Sequence, residues 1–359
     1  MPACEGGVEM GTMNALVCQN GRAVLTHRPL PSLQKDTDAI VRVTLSTICT
    51  SDLHILHGAV PRAKDDIVLG HEFVGKVVET GSAVKHLKAG DRVAANCITF
   101  CGDCWFCRQG YINNCENGGW ELGCRIDGCQ AEYVRVPYAD SGLSKIPDSV
   151  TDENALFTGD ILSSGYFGAE LCELSPGDTV AVIGAGPVGL CAMECARLFG
   201  VGSIIAIDKN QERLELAKKL GLADEIVCVP QENAETCVLS LTHGRGADGV
   251  IEAAGGENTF ELAWKIARPN SVVALVAMYE SPQILPLPDM YGKNLIFKTG
   301  GVDAVHCDML LHLMETGKLN TDFLITHKAP LNEILEGYRV FSQQLDGCLK
   351  WAVTPWENR

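Results

Sequence analysis

The stretch TVAVIGAGPVGLCAMECARLFG, residues 179–200, constrains the fold more than any other part of the chain. A short apolar run ends at Ile183. A G-x-G-x-x-G loop follows, made of Gly184, Gly186 and Gly189, and it opens an apolar helical run. In this context each glycine has a separate task. The first permits a tight turn, the second lets the backbone approach a pyrophosphate, and the third lets helix and strand pack closely. Pro187 suits the first helical turn, where a missing N–H costs little, and Val188 completes the loop. The helix start then offers free N–H groups and a partial positive charge to phosphates.

The surrounding texture agrees with a strand–loop–helix unit. From about Thr179 short β-branched runs alternate with helical ones: SIIAID precedes QERLELAKKLG, and GVIEAAG, TFELAWKIA and SVVALVAM follow. Alternation of this kind predicts an α/β domain, a doubly wound parallel sheet of the Rossmann type. Earlier, from about Met13 to Pro147, the runs AIVRVTLST, FVGKVVETG, DRVAANC and AEYVRVP are separated by Gly, Asp and Pro turns and read as a β-rich domain. A chain of 359 residues exceeds what one core usually supports, so two domains are expected. The predicted division is a catalytic domain over 1–161, with a cysteine lobe at about 97–118, a nucleotide-binding domain over 162–299, and a segment 300–359 that returns to the first.

Asp208 ends the run SIIAID, nineteen residues past Gly189. A carboxylate there can accept hydrogen bonds from both adenosine-ribose hydroxyls and would repel a 2′-phosphate, which favours NAD(H) over NADP(H). Lys209 and Arg213 lie close enough in sequence to soften that preference.

FCGDCWFCRQGYINNC brings Cys101, Cys104, Cys107 and Cys115 together at C-x2-C-x2-C-x7-C spacing. Four thiolates complete a tetrahedral zinc site and leave no position for substrate, so this reads as a closed, structural metal site. Two disulfides are the alternative. Seventeen cysteines, with no basic and apolar leader in MPACEGGVEMGTMNALV, argue instead for a reducing compartment, the cytoplasm. That opening stretch reads as a short, poorly ordered extension before a first strand near Met13–Cys18. A nucleic-acid-binding zinc ribbon is opposed by a net charge of −16 (29 Lys+Arg against 45 Asp+Glu). No apolar run approaches the roughly 18 residues that a membrane helix needs, so neither nucleic acid nor membrane is expected as a partner.

Other metal-competent residues are scattered. ICTSDLHILHG carries Cys49, Ser51, Asp52, His54 and His57, LGHEFVG carries His71 and Glu72, and FTGDILSSG carries Asp160. Taken singly, Cys49 reads equally as a buried thiol and His71 as a hydrogen-bonded core histidine. Together with GHE, VGKVVETGSAV, GDRV, the cysteine lobe and the nucleotide loop in that order, they give the chain a resemblance to the zinc-dependent medium-chain alcohol dehydrogenases. The branch it resembles is that of the bacterial secondary-alcohol enzymes, and the likeness spans nearly the whole sequence.

The resemblance implies a GroES-like catalytic domain beside the Rossmann domain, and two zinc ions per chain. It places Cys49, His71 and Asp160 on the catalytic zinc, Asp160 standing where many members have a second cysteine. Glu72 falls on a displaceable fourth ligand. Asp52 falls on the carboxylate that orients the ligand histidine, with a turn-capping role as its alternative. Zinc would act as a Lewis acid on the substrate oxygen while hydride passes between the carbinol carbon and NAD(H). Ser51 and His54 match the proton relay, against the plainer readings of a turn hydroxyl and a surface histidine; His57 reads as surface. Trp120, in NGGWELG, aligns with an aromatic lining the substrate pocket, or is a core tryptophan. Thr50 stands where some relatives carry an arginine on the pyrophosphate, and Lys350 matches a basic position that contacts the cofactor. Substrates would be small secondary alcohols and ketones, with polyols and bulky alicyclic alcohols such as hydroxysteroids as the alternative. Zinc-free reductases of the same superfamily lack these ligands. A homotetramer or homodimer is expected on the same basis.

Overall fold

Why the chain needs two cores is visible in its sheets. In the computed structural model, which describes residues 11–356, the strands are β1 (Thr12–Gln19), β2 (Arg22–Pro29), β3 (Ala39–Thr47), β4 (Ile67–Val68), β5 (Phe73–Thr80), β6 (Arg92–Ala95), β7 (Tyr133–Val136), β8 (Leu143–Lys145), β9 (Thr179–Ile183), β10 (Ser203–Asp208), β11 (Glu225–Cys228), β12 (Ala247–Glu252), β13 (Ala267–Leu275), β14 (Ile296–Thr299), β15 (Ile325–Pro330) and β16 (Lys350–Thr354). The extension expected at the N-terminus lies, through residue 10, outside the described residues.

One unit comprises residues 1–108, 114–156 and 325–359. It holds a three-stranded sheet, β2-β1-β4, and a seven-stranded sheet running β15-β16-β3-β5-β6-β8 with β7 paired to β3. The pairing is antiparallel except between β15 and β16. Antiparallel strands tolerate one wetter face, so β3 mixes apolar residues with Arg42 and Thr44. Val41, Val43, Phe73, Val93, Leu122 and Val134 form the core here.

The other unit comprises residues 109–113 and 157–324. Its six strands are all parallel, in the order β11-β10-β9-β12-β13-β14. Strands covered on both faces must be nearly continuous apolar runs, and TVAVI and SIIAID are. Ile183, Ile205, Val227, Val250 and Val273 share that core. The doubly wound sheet expected from the sequence is therefore present.

Two expected boundaries shift. The first domain gives way after Leu156, not after residue 161, because the turn Thr158–Leu162 runs straight into the helix Ser163–Leu171, which belongs to the second unit. That helix meets the helix Pro187–Leu198 so closely that a Cβ on Gly165 would lie 2.6 Å from the Ala192 nitrogen. The return to the first unit comes at Ile325, not at residue 300. Residues 300–324 stay with the second unit, where Leu310, Leu311 and Met314 of the amphipathic helix Cys307–Glu315 are buried.

Candidate metal centres and nucleotide loop

Cys49 ends the extended approach from β3 and caps the helix Thr50–Leu56. Its backbone N–H donates to Asp52 Oδ2 at 2.9 Å, so Asp52 does cap this turn. The same carboxylate also faces the histidine, with Oδ1 lying 3.5 Å from His71 Nδ1. The two readings of Asp52 are thus compatible: one oxygen holds the helix start, and the other faces the imidazole. Cys49 Sγ and a ring nitrogen of His71 lie within 4.8 Å of one another. With Nδ1 turned to Asp52, the ring presents Nε2 outward.

Behind Asp52 lies a chain of buried polar groups that sequence reasoning missed. Gln130 Nε2 donates to Asp52 Oδ2 (3.0 Å) and to the Thr47 carbonyl (3.2 Å), and Tyr338 Oη donates to Gln130 Oε1 (2.8 Å). Tyr338 is fully buried, which with the nearby Asp52 holds its phenol well above the ordinary range. The Tyr338 hydroxyl is therefore a standing donor. Gln130 is in the same position as any buried amide, which must be satisfied to be tolerated. No short motif announces either residue.

Trp120 is buried with its ring 5.5 Å from that of His71, at 71°. It is packed edge-on against the candidate ligand itself. Glu72 pairs through Oε2 with Lys350 Nζ, which also donates to the Ile48 carbonyl at 3.2 Å; both side chains are buried. Lys350, expected against the cofactor, is the counter-ion of Glu72 here, as an unpaired carboxylate at that depth would be costly. Ser51 Oγ lies 3.7 Å from Cys49 Sγ, His54 is half-buried one turn further along, and Thr50 and His57 are exposed.

Asp160, in the second unit, sits within a single π-helical turn, Thr158–Leu162, whose other four residues are buried while Asp160 is partly exposed. Such turns recur at functional sites because the extra residue re-aims a side chain.

In the lobe, Cys104 and Cys107 Sγ are 3.4 Å apart, Cys101 and Cys115 3.6 Å, and Cys101 and Cys107 3.9 Å. Disulfide sulfurs stand about 2.05 Å apart, whereas a tetrahedron with Zn–S of about 2.3 Å has edges of about 3.8 Å. The four thiols fit a closed metal site and not two disulfides. Although burial opposes it, backbone N–H groups of Asp103 and Cys104 lower the Cys101 thiol to about 6. A thiolate is therefore available there near neutral pH.

At the nucleotide loop, Gly184 has φ +101° and Gly186 caps the helix Pro187–Leu198 with Pro187 in its first turn. A Cβ on Gly189 would stand 1.8 Å from the Gly184 carbonyl oxygen, so the third glycine is obligatory. Asp208 ends β10; its Oδ2 accepts from Ala185 N at 2.6 Å and Oδ1 from Asn210 N at 2.8 Å. Each oxygen keeps a second lone pair for a ligand. Arg213 Nη1 lies 3.7 Å from where a Gly186 Cβ would be, and Lys209 is exposed.

Comparison with known proteins follows this geometry. Residues 35–148 match the family described as alcohol dehydrogenase GroES-like domain, and residues 187–301 that described as zinc-binding dehydrogenase. An alcohol dehydrogenase of Cupriavidus necator is 38% identical over 95% of this chain and 98% of its own. An NADP-dependent isopropanol dehydrogenase of Thermoanaerobacter brockii is 35% identical over 81% of this chain and 84% of its own. Among solved structures, alcohol dehydrogenase TADH from Thermus sp. ATN1 shares 40% identity and a TM-score of 0.89, covering 95% of this chain and 99% of that one.

Replacing Tyr338 by Phe leaves Gln130 Oε1 without its donor in a buried site. Urea denaturation should show a loss of about 1–2 kcal/mol; an unchanged midpoint would show that the hydroxyl contributes nothing to the chain behind Asp52.

Proposed function

Because the chain belongs to the zinc-dependent medium-chain alcohol dehydrogenases, we propose that it interconverts a secondary alcohol and its ketone using NAD(H). The observation that carries this reading is the His71 imidazole facing Asp52, with Nδ1 3.5 Å from Oδ1, and Cys49 within 4.8 Å. That is how a metal-ligating histidine is held, its second nitrogen fixed by a carboxylate. Cys49, His71 and Asp160 are the proposed ligands of the catalytic zinc. Three protein donors of S, N and O type suit zinc and leave a fourth position open. Glu72, already neutralised by Lys350, is the displaceable donor beside them. Cys101, Cys104, Cys107 and Cys115 hold the second, structural zinc.

The zinc supplies Lewis acidity toward the substrate oxygen, and the nicotinamide supplies the hydride acceptor or donor. The protein's own groups manage the proton. Ser51 Oγ, placed next to Cys49 Sγ, takes the proton of the substrate hydroxyl and hands it toward His54. The two lie three residues apart on one helix, hence on one face. Trp120, edge-on to His71, offers an apolar wall to the substituents on the reacting carbon.

Asp208 supports NAD(H), because its two oxygens are held at the end of β10 by Ala185 N and Asn210 N and are oriented for ribose hydroxyls. Arg213, close to Gly186, keeps the discrimination against a 2′-phosphate modest. For the homodimer or homotetramer expected of such a chain, support comes from Ile284, Leu287 and Tyr291, exposed at 82%, 63% and 95% in the segment before the edge strand β14. The unpaired lobe thiols suit a reducing cytoplasm.

Ser51→Ala should lower kcat about 10²-fold while changing NADH affinity little; near-normal turnover would remove Ser51 from the relay. A screen of NADH and NADPH oxidation across ketones from acetone-like to steroid-like should give a larger kcat/KM with NADH and small ketones. Asp208→Ser should narrow the cofactor gap. A preference for NADPH in the unaltered protein would overturn the assignment to Asp208.

A further inference from the structure

The parallel sheet changes its winding direction between β9 and β12, whose last residues, Ile183 and Glu252, are register partners. In open α/β sheets ligands bind outside the carboxyl ends of the strands at such a point. Gly184–Gly189 forms one wall of that crevice. The turn Ala253–Gly256, directly after β12, forms the other and is pressed against the first. Ala253 N donates to the Ile183 carbonyl at 2.8 Å, and a Cβ on Gly184 would lie 3.1 Å from both the Ala253 carbonyl carbon and Ala254 Cβ.

What shapes this second wall is a carboxyl group. Glu252 is fully buried, and its Oε1 accepts from Ala254 N at 2.9 Å and from Gly255 N at 2.8 Å. Gly255 has φ +64°, and a Cβ there would meet the Met278 carbonyl oxygen at 2.6 Å. The far end of the turn is tied as well. Thr259 Oγ1 donates to the Gly256 carbonyl at 2.9 Å and shares a 3.2 Å hydrogen bond with the Tyr279 hydroxyl. Tyr279 stands beside Glu252; burial chiefly, and then the nearby acid, push its phenol above the ordinary range. Glu252 follows the fully buried Val250 and Ile251, and a carboxyl at that depth is costly unless its oxygens are engaged.

The strand order says which part of a dinucleotide meets this wall. Asp208 ends β10, on one side of β9, and β12 lies on the other. A cofactor with its adenosine at Asp208 and its pyrophosphate on the glycine loop must carry its nicotinamide half over the β12 turn. We propose that Glu252 is a positioning residue for the nicotinamide half of the cofactor, holding Ala253–Gly256 rigid through the Ala254 and Gly255 amides, with Thr259 and Tyr279 fixing the far end. The inference rests on the NAD(H) reading above. Its physical content is preorganisation: a turn already ordered does not have to be ordered by the ligand.

The test compares NADH, followed by nicotinamide fluorescence, with ADP, which carries only the adenosine and pyrophosphate half. Glu252→Ala should weaken NADH binding about tenfold and ADP binding less than about twofold, and Glu252→Gln, which keeps the acceptor, should stay within about threefold for both. General damage would weaken both ligands alike, and that outcome, or unchanged NADH affinity in Glu252→Ala, overturns the proposal. Should Glu252→Ala not fold, amide exchange in the unaltered, ligand-free protein decides: the Ala254 and Gly255 amides should already exchange slowly, and exchange as fast as in an exposed loop overturns the proposal. Failure of the unaltered protein to bind NADH would instead strike the NAD(H) reading itself.

Discussion

The candidate chemistry depends on how one imidazole is held. An unrestrained histidine rotates and exchanges tautomers, and neither state is a dependable ligand. Here Asp52 Oδ1 faces His71 Nδ1 at 3.5 Å while the other oxygen accepts from the Cys49 amide and from Gln130. The Thr50–Leu56 helix start and His71, two residues before β5, thereby meet one carboxylate. Tyr338, from the C-terminal part of the chain, completes the support through Gln130. In such a chain the low dielectric strengthens each hydrogen bond that is made.

The two cysteine-bearing sites show opposite logics. The lobe is conspicuous, local and coordinatively closed, with sulfurs at tetrahedral spacing. Cys49 and His71 are inconspicuous, twenty-two positions apart in sequence, and surrounded by residues whose task is orientation. On the proposed reading, density of metal-binding residues marks the stabilising site, and the reactive one is recognised by its supports. Glu252 follows the same pattern at the nucleotide crevice, an acid that touches backbone amides so that other groups can meet the ligand.

Local signals were the legible ones. The glycine loop could be read because each glycine answers to a steric demand within a few residues, and the cysteine lobe because a tetrahedron was encoded in one short stretch. Asp52 was legible only through resemblance, and its double role needed coordinates. Gln130 and Tyr338 were not legible, because the contacts that give them meaning span 78 and 208 positions. The pairing of Lys350 was illegible for the same reason: its partner Glu72 is 278 positions away. The seam between the units was misplaced by a few residues at one end and by a whole helix at the other, since packing at Gly165 and around Leu310 and Leu311 decides it, not composition.

The central claim is a division of labour between two metals. Zinc content per chain, measured on purified protein together with turnover, tests it most directly. Two equivalents in the unaltered chain, falling to one in a folded but inactive His71→Ala variant, is the predicted result. A His71→Ala variant that keeps both equivalents and its turnover would contradict the account.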